Sequence, residues 1–259
     1  MQEKYPYYAL NQAGNCIMII EQSSGQLTEN RFAVVDAPCG KAARELKGES
    51  IRDMKILLLV SAAVVSYLVG SINPAIILSK ALYKIDVRQH GSHNAGFTNF
   101  RRVLGSEDAW AVLLWDMAKS AVVCALFGWL FKVFFGLYHT GAAGAMLFAM
   151  IGHAYPVWYE FQGGKCAAVF AGGIWFIDWR AGLIALALLL VLLAAARFMS
   201  LAVMIATASC PVTIACLGSE HPAVLILMAA AVALIWFRHR ENIGRLIHGT
   251  ESKFSFHGL

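Results

Sequence analysis

What most limits the fold of this chain is a succession of apolar stretches, almost without formal charge, each near the length of a membrane-crossing helix. Such a helix needs about 20 predominantly apolar residues. Candidate stretches fall at 56–78, 109–131, 137–155, 166–178, 181–197, 201–218 and 222–237. The run Ala185–Ala196 contains no polar side chain. The fourth stretch is short and holds Gly172 and Gly173, so it is expected to be tilted or only partly inserted. Of the 259 residues, 59% are hydrophobic and 14% charged, whereas soluble domains run roughly 45–50% apolar and about 25% charged. That balance excludes a soluble globule, a disordered chain and a nucleic-acid-binding surface. We expect an all-α integral membrane protein with about seven transmembrane helices, or five or six if short stretches pair as re-entrant segments.

Cytoplasmic loops are enriched in lysine and arginine. Lys80, Lys84, Arg88, Arg101 and Arg102 follow the first stretch, Lys165 the third, Arg197 the fifth, and Arg238, Arg240, Arg245 and Lys253 the last. The alternate side holds only Lys132 and Arg180, beyond the N-terminal segment. Seven crossings then place the C-terminus in the cytoplasm and the start of the apolar core outside.

Residues 1–53 differ from the rest. They are polar, with charges of both signs, and their short apolar run Cys16–Ile20 is too small for a signal peptide. Met54-Lys55 opens directly onto Ile56-Leu-Leu-Leu-Val60, which reads as a natural start. The expected division is an N-terminal extension over 1–53, disordered or an artefact of the assigned start, and a polytopic membrane domain over 54–259. A small ordered appendage is the other reading. The six cysteines form no C-x-x-C pair, so neither a disulfide framework nor a zinc site is expected.

Three polar clusters fall on the side predicted to be cytoplasmic. The first, Asp86–Arg102, combines Gly91 and Gly96 with Ser92, Thr98, Asn94, Asn99 and two adjacent arginines. Glycines let successive backbone N–H groups converge on an anion, and arginine offers a planar fork for phosphate oxygens. Alternatively it is a polar loop whose basic residues serve topology. The second runs from Gly152-His153 through Pro156 to Gly163-Gly164-Lys165. It is not a Walker A loop, because Tyr159 stands where a glycine is required and Cys166 replaces Ser or Thr. His153 here is either a ligand-facing or a satisfied interfacial histidine. The third cluster, Arg238–Asn242 and Gly249–Glu251, alone reads as a basic tail that meets lipid headgroups. Asp116 and Lys119, at i and i+3 inside a span, are expected to form a structural ion pair, with support of the site as the second choice. His90 and His93 lack a pattern that would complete a metal site.

In this order, each at a membrane exit, the clusters resemble the acyl-phosphate–glycerol-3-phosphate acyltransferases of bacterial membranes, the PlsY family. The first motif of that family is matched by Gly91, Ser92, Asn94, Gly96, Asn99 and Arg102; the second by Gly152, His153, Pro156, Gly163, Gly164 and Lys165; the third by His239, Glu241, Asn242, Ile243, Arg245 and Leu246. The D-x-x-K at Asp116 and Lys119 is also similar, and the likeness spans about residues 54–255. The family usually has glycine where His93 and Cys166 stand.

The resemblance implies transfer of a fatty acyl group from acyl phosphate to the 1-hydroxyl of sn-glycerol 3-phosphate, giving lysophosphatidic acid and phosphate. It implies a multi-pass enzyme of the bacterial inner membrane, with its motif loops on the cytoplasmic face and no metal or other cofactor. Its partners would be the two substrates, the bilayer and an enzyme that forms acyl phosphate, not nucleic acid. Ser92 and Lys165 would meet the acyl phosphate, Arg102 and Asn99 the glycerol 3-phosphate, and His239 with Asn242 would complete the pocket. Gly91, Asn94, Gly96, Thr98, His153, Gly163 and Gly164 would line the binding region. No histidine has aspartate five residues later, so the H-x4-D machinery of other acyltransferases is absent; the resemblance points to a substrate phosphate oxygen as base. The rivals are a transporter of a phosphorylated metabolite, which would need a midplane site between repeats, and a catalytically weak paralogue acting in lipid binding or as a scaffold.

Overall fold

The computed structural model describes the backbone of residues 7–10, 16–21, 32–37, 41–105, 107–218 and 222–254, and side chains from residue 52 onward. The chain divides into two units, Met1–Leu59 and Val60–Leu259. In the first, strands β1 (Tyr7–Leu10), β2 (Cys16–Glu21) and β3 (Phe32–Ala37) form an antiparallel sheet in that order, Tyr7 opposite Ile19 and Ile19 opposite Val34. The apolar run noted in the sequence is thus the central strand. The other residues of the expected extension that precede helix α1 (Lys41–Ser71), Cys39 among them, lie outside the described residues.

In the second unit every described element is a helix. α1 ends at Ser71, and α2 spans Pro74–Tyr83, so the stretch expected to run unbroken over 56–78 is interrupted. The cause is Asn73-Pro74. Proline disfavours the helical conformation in the residue before it, yet suits the first position of a new helix. Asn73 accepts from the Ile76 N–H at 3.1 Å as the cap of α2. The carbonyls left open at the end of α1 are taken by Lys119, whose Nζ donates to Gly70 O at 2.9 Å and Ile72 O at 2.8 Å. An ammonium is favoured at a helix C-terminus, and Asp116 Oδ1, 2.7 Å away, balances its charge. The i, i+3 pair is therefore structural, as expected, and has a specific task.

α3 (Phe97–Leu104) precedes the long α4 (Asp108–Phe135), which packs along α5 (Tyr138–Ala154). α5 also crosses α1 at contact distance: a Cβ on Gly152 would fall 2.1 Å from Tyr67 O. Small residues permit such close crossings in membranes. α6 (Ala167–Gly173) is short, continues as a 3₁₀ turn to Phe176, and lies against α4. α7 (Trp179–Ala196) and α8 (Met199–Leu217) form a hairpin, and α9 (Pro222–Arg238) bends by 58° into α10 (Arg240–Ile247).

Among the described residues, four helical stretches are long and apolar enough to cross a membrane, and a fifth if α9 and α10 count as one. Their outer faces carry large apolar side chains, such as Leu114 at 62% exposed, Val191 at 64% and Ile226 at 69%. Water would not tolerate so continuous an apolar surface; a bilayer requires it. The protein is an integral membrane protein.

Candidate active site

The loop of the first motif is built around Asn99. Its Nδ2 donates to Val87 O and His90 O, both at 3.0 Å, while its Oδ1 accepts from Ser92 N at 2.8 Å and Ser92 Oγ at 3.1 Å. The amide thereby folds the loop back onto the first turn of α3 and fixes Ser92. Gly91 lies under it at φ 64°, and a Cβ there would come within 2.4 Å of Asn99 Oδ1. α3 begins at the cavity wall with Gly96, and no side chain caps its first N–H groups. Free N–H groups and the positive end of a helix favour an anion. Arg88, paired with Asp86, donates Nη1 to Tyr159 O at 2.9 Å and so ties this loop to the next.

The second loop folds against the end of α5. Gly163 N and Gly164 N donate to Ala154 O at 3.2 Å and His153 O at 3.0 Å. From the end of α9, Arg238 donates Nε to Gly164 O and Nη2 to Gly163 O, both at 3.0 Å, with its guanidinium 5.2 Å from the centre of the Tyr155 ring. These bonds aim Lys165 inward, where its Nζ donates to Asn242 Oδ1. Burial, with Arg245 close by, lowers the Lys165 ammonium to about 8.

The segment after α9 closes the site. Glu251 Oε1 accepts from Ser200 Oγ at 2.6 Å and Asn242 Nδ2 at 2.7 Å, and its Oε2 accepts from Arg245 Nε at 2.7 Å. Burial pushes this carboxyl up, but the three donors outweigh it and hold the group below the usual carboxylate range. His239 Nδ1 donates to Ile235 O at 2.8 Å, and burial lowers the ring to about 4, so it is neutral. Phe254 N donates to Arg197 O at 2.6 Å, and residues 251–254 line the cavity.

The result is a cavity of about 310 Å³. Of the residues expected from the sequence, Ser92, Asn94, Gly96, Thr98, Asn99, Arg102, His153, Lys165, His239 and Asn242 line it. Gly91, Gly163 and Gly164 do not; they shape the loops behind it. Asp116 reaches the wall as well. Ser200, Lys253, Phe254 and the hub role of Glu251 were not foreseen, and nothing local to Ser200 signals it, because its partner lies 51 residues on. Arg245 stood in the third motif without an assigned role. The apolar part of the lining comes from Leu113, Ala168, Ala171, Leu189, Met199 and Val203.

The two departures from the family pattern both sit at left-handed backbone positions, His93 at φ 54° and Cys166 at φ 68°. Glycine adopts that conformation without strain. His93 is exposed and does not line the cavity, with Nδ1 3.0 Å from Arg88 O. Cys166 donates its thiol to Met150 O at 3.1 Å. Cys166 also lines the cavity, whereas His93 does not.

A cavity lined by both cations and aliphatic side chains suits an amphiphile that carries phosphate. A model of the family described as Glycerol-3-phosphate acyltransferase matches residues 60–249. The glycerol-3-phosphate acyltransferase of Brucella anthropi is 36% identical over 205 residues, covering 78% of this chain and 96% of the relative. That of Agrobacterium fabrum is 38% identical over 208 residues, covering 78% and 94%. The crystal structure of PlsY, an integral membrane glycerol 3-phosphate acyltransferase, in its glycerol 3-phosphate form matches with a TM-score of 0.68. The two are 30% identical, over 76% of this chain and 96% of that one. A second PlsY structure, a lysophosphatidic acid form, gives 0.66. Three motifs gathered at one cavity, and likeness over nearly the whole length of these relatives, lead to one assignment: the chain belongs to the glycerol-3-phosphate acyltransferase family.

Proposed function

We propose that this chain transfers a fatty acyl group from acyl phosphate to the 1-hydroxyl of sn-glycerol 3-phosphate, giving lysophosphatidic acid and inorganic phosphate. The observation that carries the reading is the cavity itself, in which Lys165, Arg102 and Arg245 share one space with an aliphatic wall. Two phosphates need cations, and an acyl chain needs the wall. The relatives named for glycerol 3-phosphate, and the PlsY structures in glycerol 3-phosphate and lysophosphatidic acid forms, support the acceptor and product.

Ser92, Lys165 and the first N–H groups of α3 hold the acyl phosphate. Arg102, exposed at the mouth, holds the phosphate of the acceptor, with Asn94 and Thr98 beside it. Asn99, whose amide is fully occupied by its loop, acts as a positioning residue for Ser92. His239, its Nδ1 engaged, offers Nε2 as acceptor to a glycerol hydroxyl, and Asn242 keeps Lys165 in place. The hydroxyl oxygen bonds to the acyl carbon, and the carbon–oxygen bond to phosphate breaks. The departing phosphate takes the hydroxyl proton. The acyl group arrives activated, so positioning and charge neutralisation suffice.

Seven crossings fit the same geometry. Loops after α1–α2, after α5, after α7 and after α9 all contribute to one cavity, so an even number of crossings separates each from the next. Lysine and arginine bias places that side in the cytoplasm of a bacterial cell, where an enzyme that makes acyl phosphate would deliver it. Residues 54–259 form the acyltransferase domain. The intact cavity argues against a disabled scaffold. The deciding experiment measures phosphate release from acyl phosphate by purified protein: release that depends on glycerol 3-phosphate is expected, and none with any chain length would refute the reading.

A further inference from the structure

His153 sits where α5 meets the second motif loop, with Lys119 against its Nδ1. An ammonium has three N–H bonds. Two of those on Lys119 go to Gly70 O and Ile72 O; the third lies within reach of His153 Nδ1, at 3.1 Å, and of Asp116 Oδ1, at 2.7 Å. Asp116 Oδ1 lies farther from Nδ1, at 3.3 Å, and faces the ammonium at 2.7 Å as its counter-charge. A nitrogen that accepts from an ammonium has no proton of its own, so the neutral ring holds its proton on Nε2. His153 is 2% exposed, yet it lines the cavity. Its Nε2 has no hydrogen-bond partner among the described residues and faces the Gly164 backbone, where a Cβ would fall 2.1 Å away.

We infer that His153 Nε2–H is a catalytic hydrogen-bond donor to the acyl carbonyl oxygen, its tautomer fixed by Lys119; this rests on the acyl-transfer reading above. Charge selects the carbonyl. The cavity cations Lys165, Arg102 and Arg245 suit phosphates, whereas the ammonium beneath His153 is cancelled by Asp116. A buried donor without net charge suits an uncharged carbonyl whose oxygen gains negative charge as the hydroxyl attacks. In a dry site, such a preset donor is worth more than in water. His239 is held the opposite way, with Nδ1 donating to Ile235 O. One histidine of the cavity therefore donates and the other accepts.

The test is nitrogen NMR of histidine-labelled full-length protein in detergent, with the His153 signals assigned by their loss in His153→Gln. Protonated Nε2 and unprotonated Nδ1 are expected; a proton on Nδ1 overturns the inference whatever activity the variants retain. His153→Leu should lower kcat by about 10²–10³-fold and leave the KM for glycerol 3-phosphate unchanged. His153→Gln, which keeps an N–H, should recover part of that loss. A raised KM at unchanged kcat in the Leu variant would make His153 a binding residue only and overturn the role. No turnover by the unmodified protein would sink the acyltransferase reading itself, an outcome distinct from turnover with the wrong tautomer.

Discussion

Arg238 Nε donates to Gly164 O at 3.0 Å, so the last residue of α9 sets the backbone from which Lys165 projects. The same guanidinium reaches Gly163 O and stacks on Tyr155. Lysine cannot reproduce that fork. Arg238→Lys should cost about 1.5–3 kcal/mol of loop anchoring, seen as a kcat/KM at least tenfold lower with the protein still inserted in the membrane. Unchanged kinetics would show that the loop holds itself.

Lys165→Ala and Arg102→Ala should each remove a charge-assisted phosphate contact worth roughly 1.5–3 kcal/mol, about ten- to a hundredfold in efficiency. The arginine change should act chiefly through the KM for glycerol 3-phosphate. Lys165, lowered to about 8, also gives a pH signature. As pH rises through about 8 the free enzyme loses this charge, so kcat/KM should fall. Stability moves the other way. Between about 8 and the ordinary lysine value the unfolded chain binds the extra proton, so this group makes folding more favourable as pH rises. Activity lost above pH 8 without a drop in Tm is the expected pattern, and Lys165→Arg should abolish the inflection.

His93→Gly and Cys166→Gly should behave differently although both relieve a left-handed backbone. His93 is exposed, so relief of about 1 kcal/mol of strain outweighs the flexibility gained by the unfolded chain. Thermal unfolding should show a small gain at full activity. Cys166 is buried and bonded to Met150 O; its loss opens a gap, and the net change in stability should be near zero or negative.

Residues 54–259 alone should insert and retain full activity, because every residue that lines the cavity lies within them. Loss of insertion on removal of 1–53 would assign that segment a structural task.

Cysteines placed at Gln89 and Gln162 should label from the cytoplasmic side of sealed cells, and one at Leu137 from the other side. Glu220, which lies outside the described residues, should label with Leu137. Opposite labelling at Gln89 and Gln162 would separate two loops that the cavity requires together.

Much of the candidate cavity lining was legible because it is local in sequence: Ser92, Asn99 and Arg102 share one short cluster, as do His239 and Asn242. Membrane helices were legible because apolar length is a one-dimensional signal. The break at Asn73-Pro74 went unread, since hydropathy does not register that a lysine from another helix will take the freed carbonyls. Glu251 looked like part of a basic tail, because its three donors come from α8 and α10 and meet only in the fold.

Among the described residues Glu251 follows every apolar helix, yet it bonds Asn242, Arg245 and Ser200 together. The order of synthesis therefore delays catalysis. A chain halted after α10 but before Glu251 has all of these helices but no wired pocket. Premature termination late in the message should yield membrane-embedded, inert protein rather than a partly active enzyme loose in its choice of acceptor.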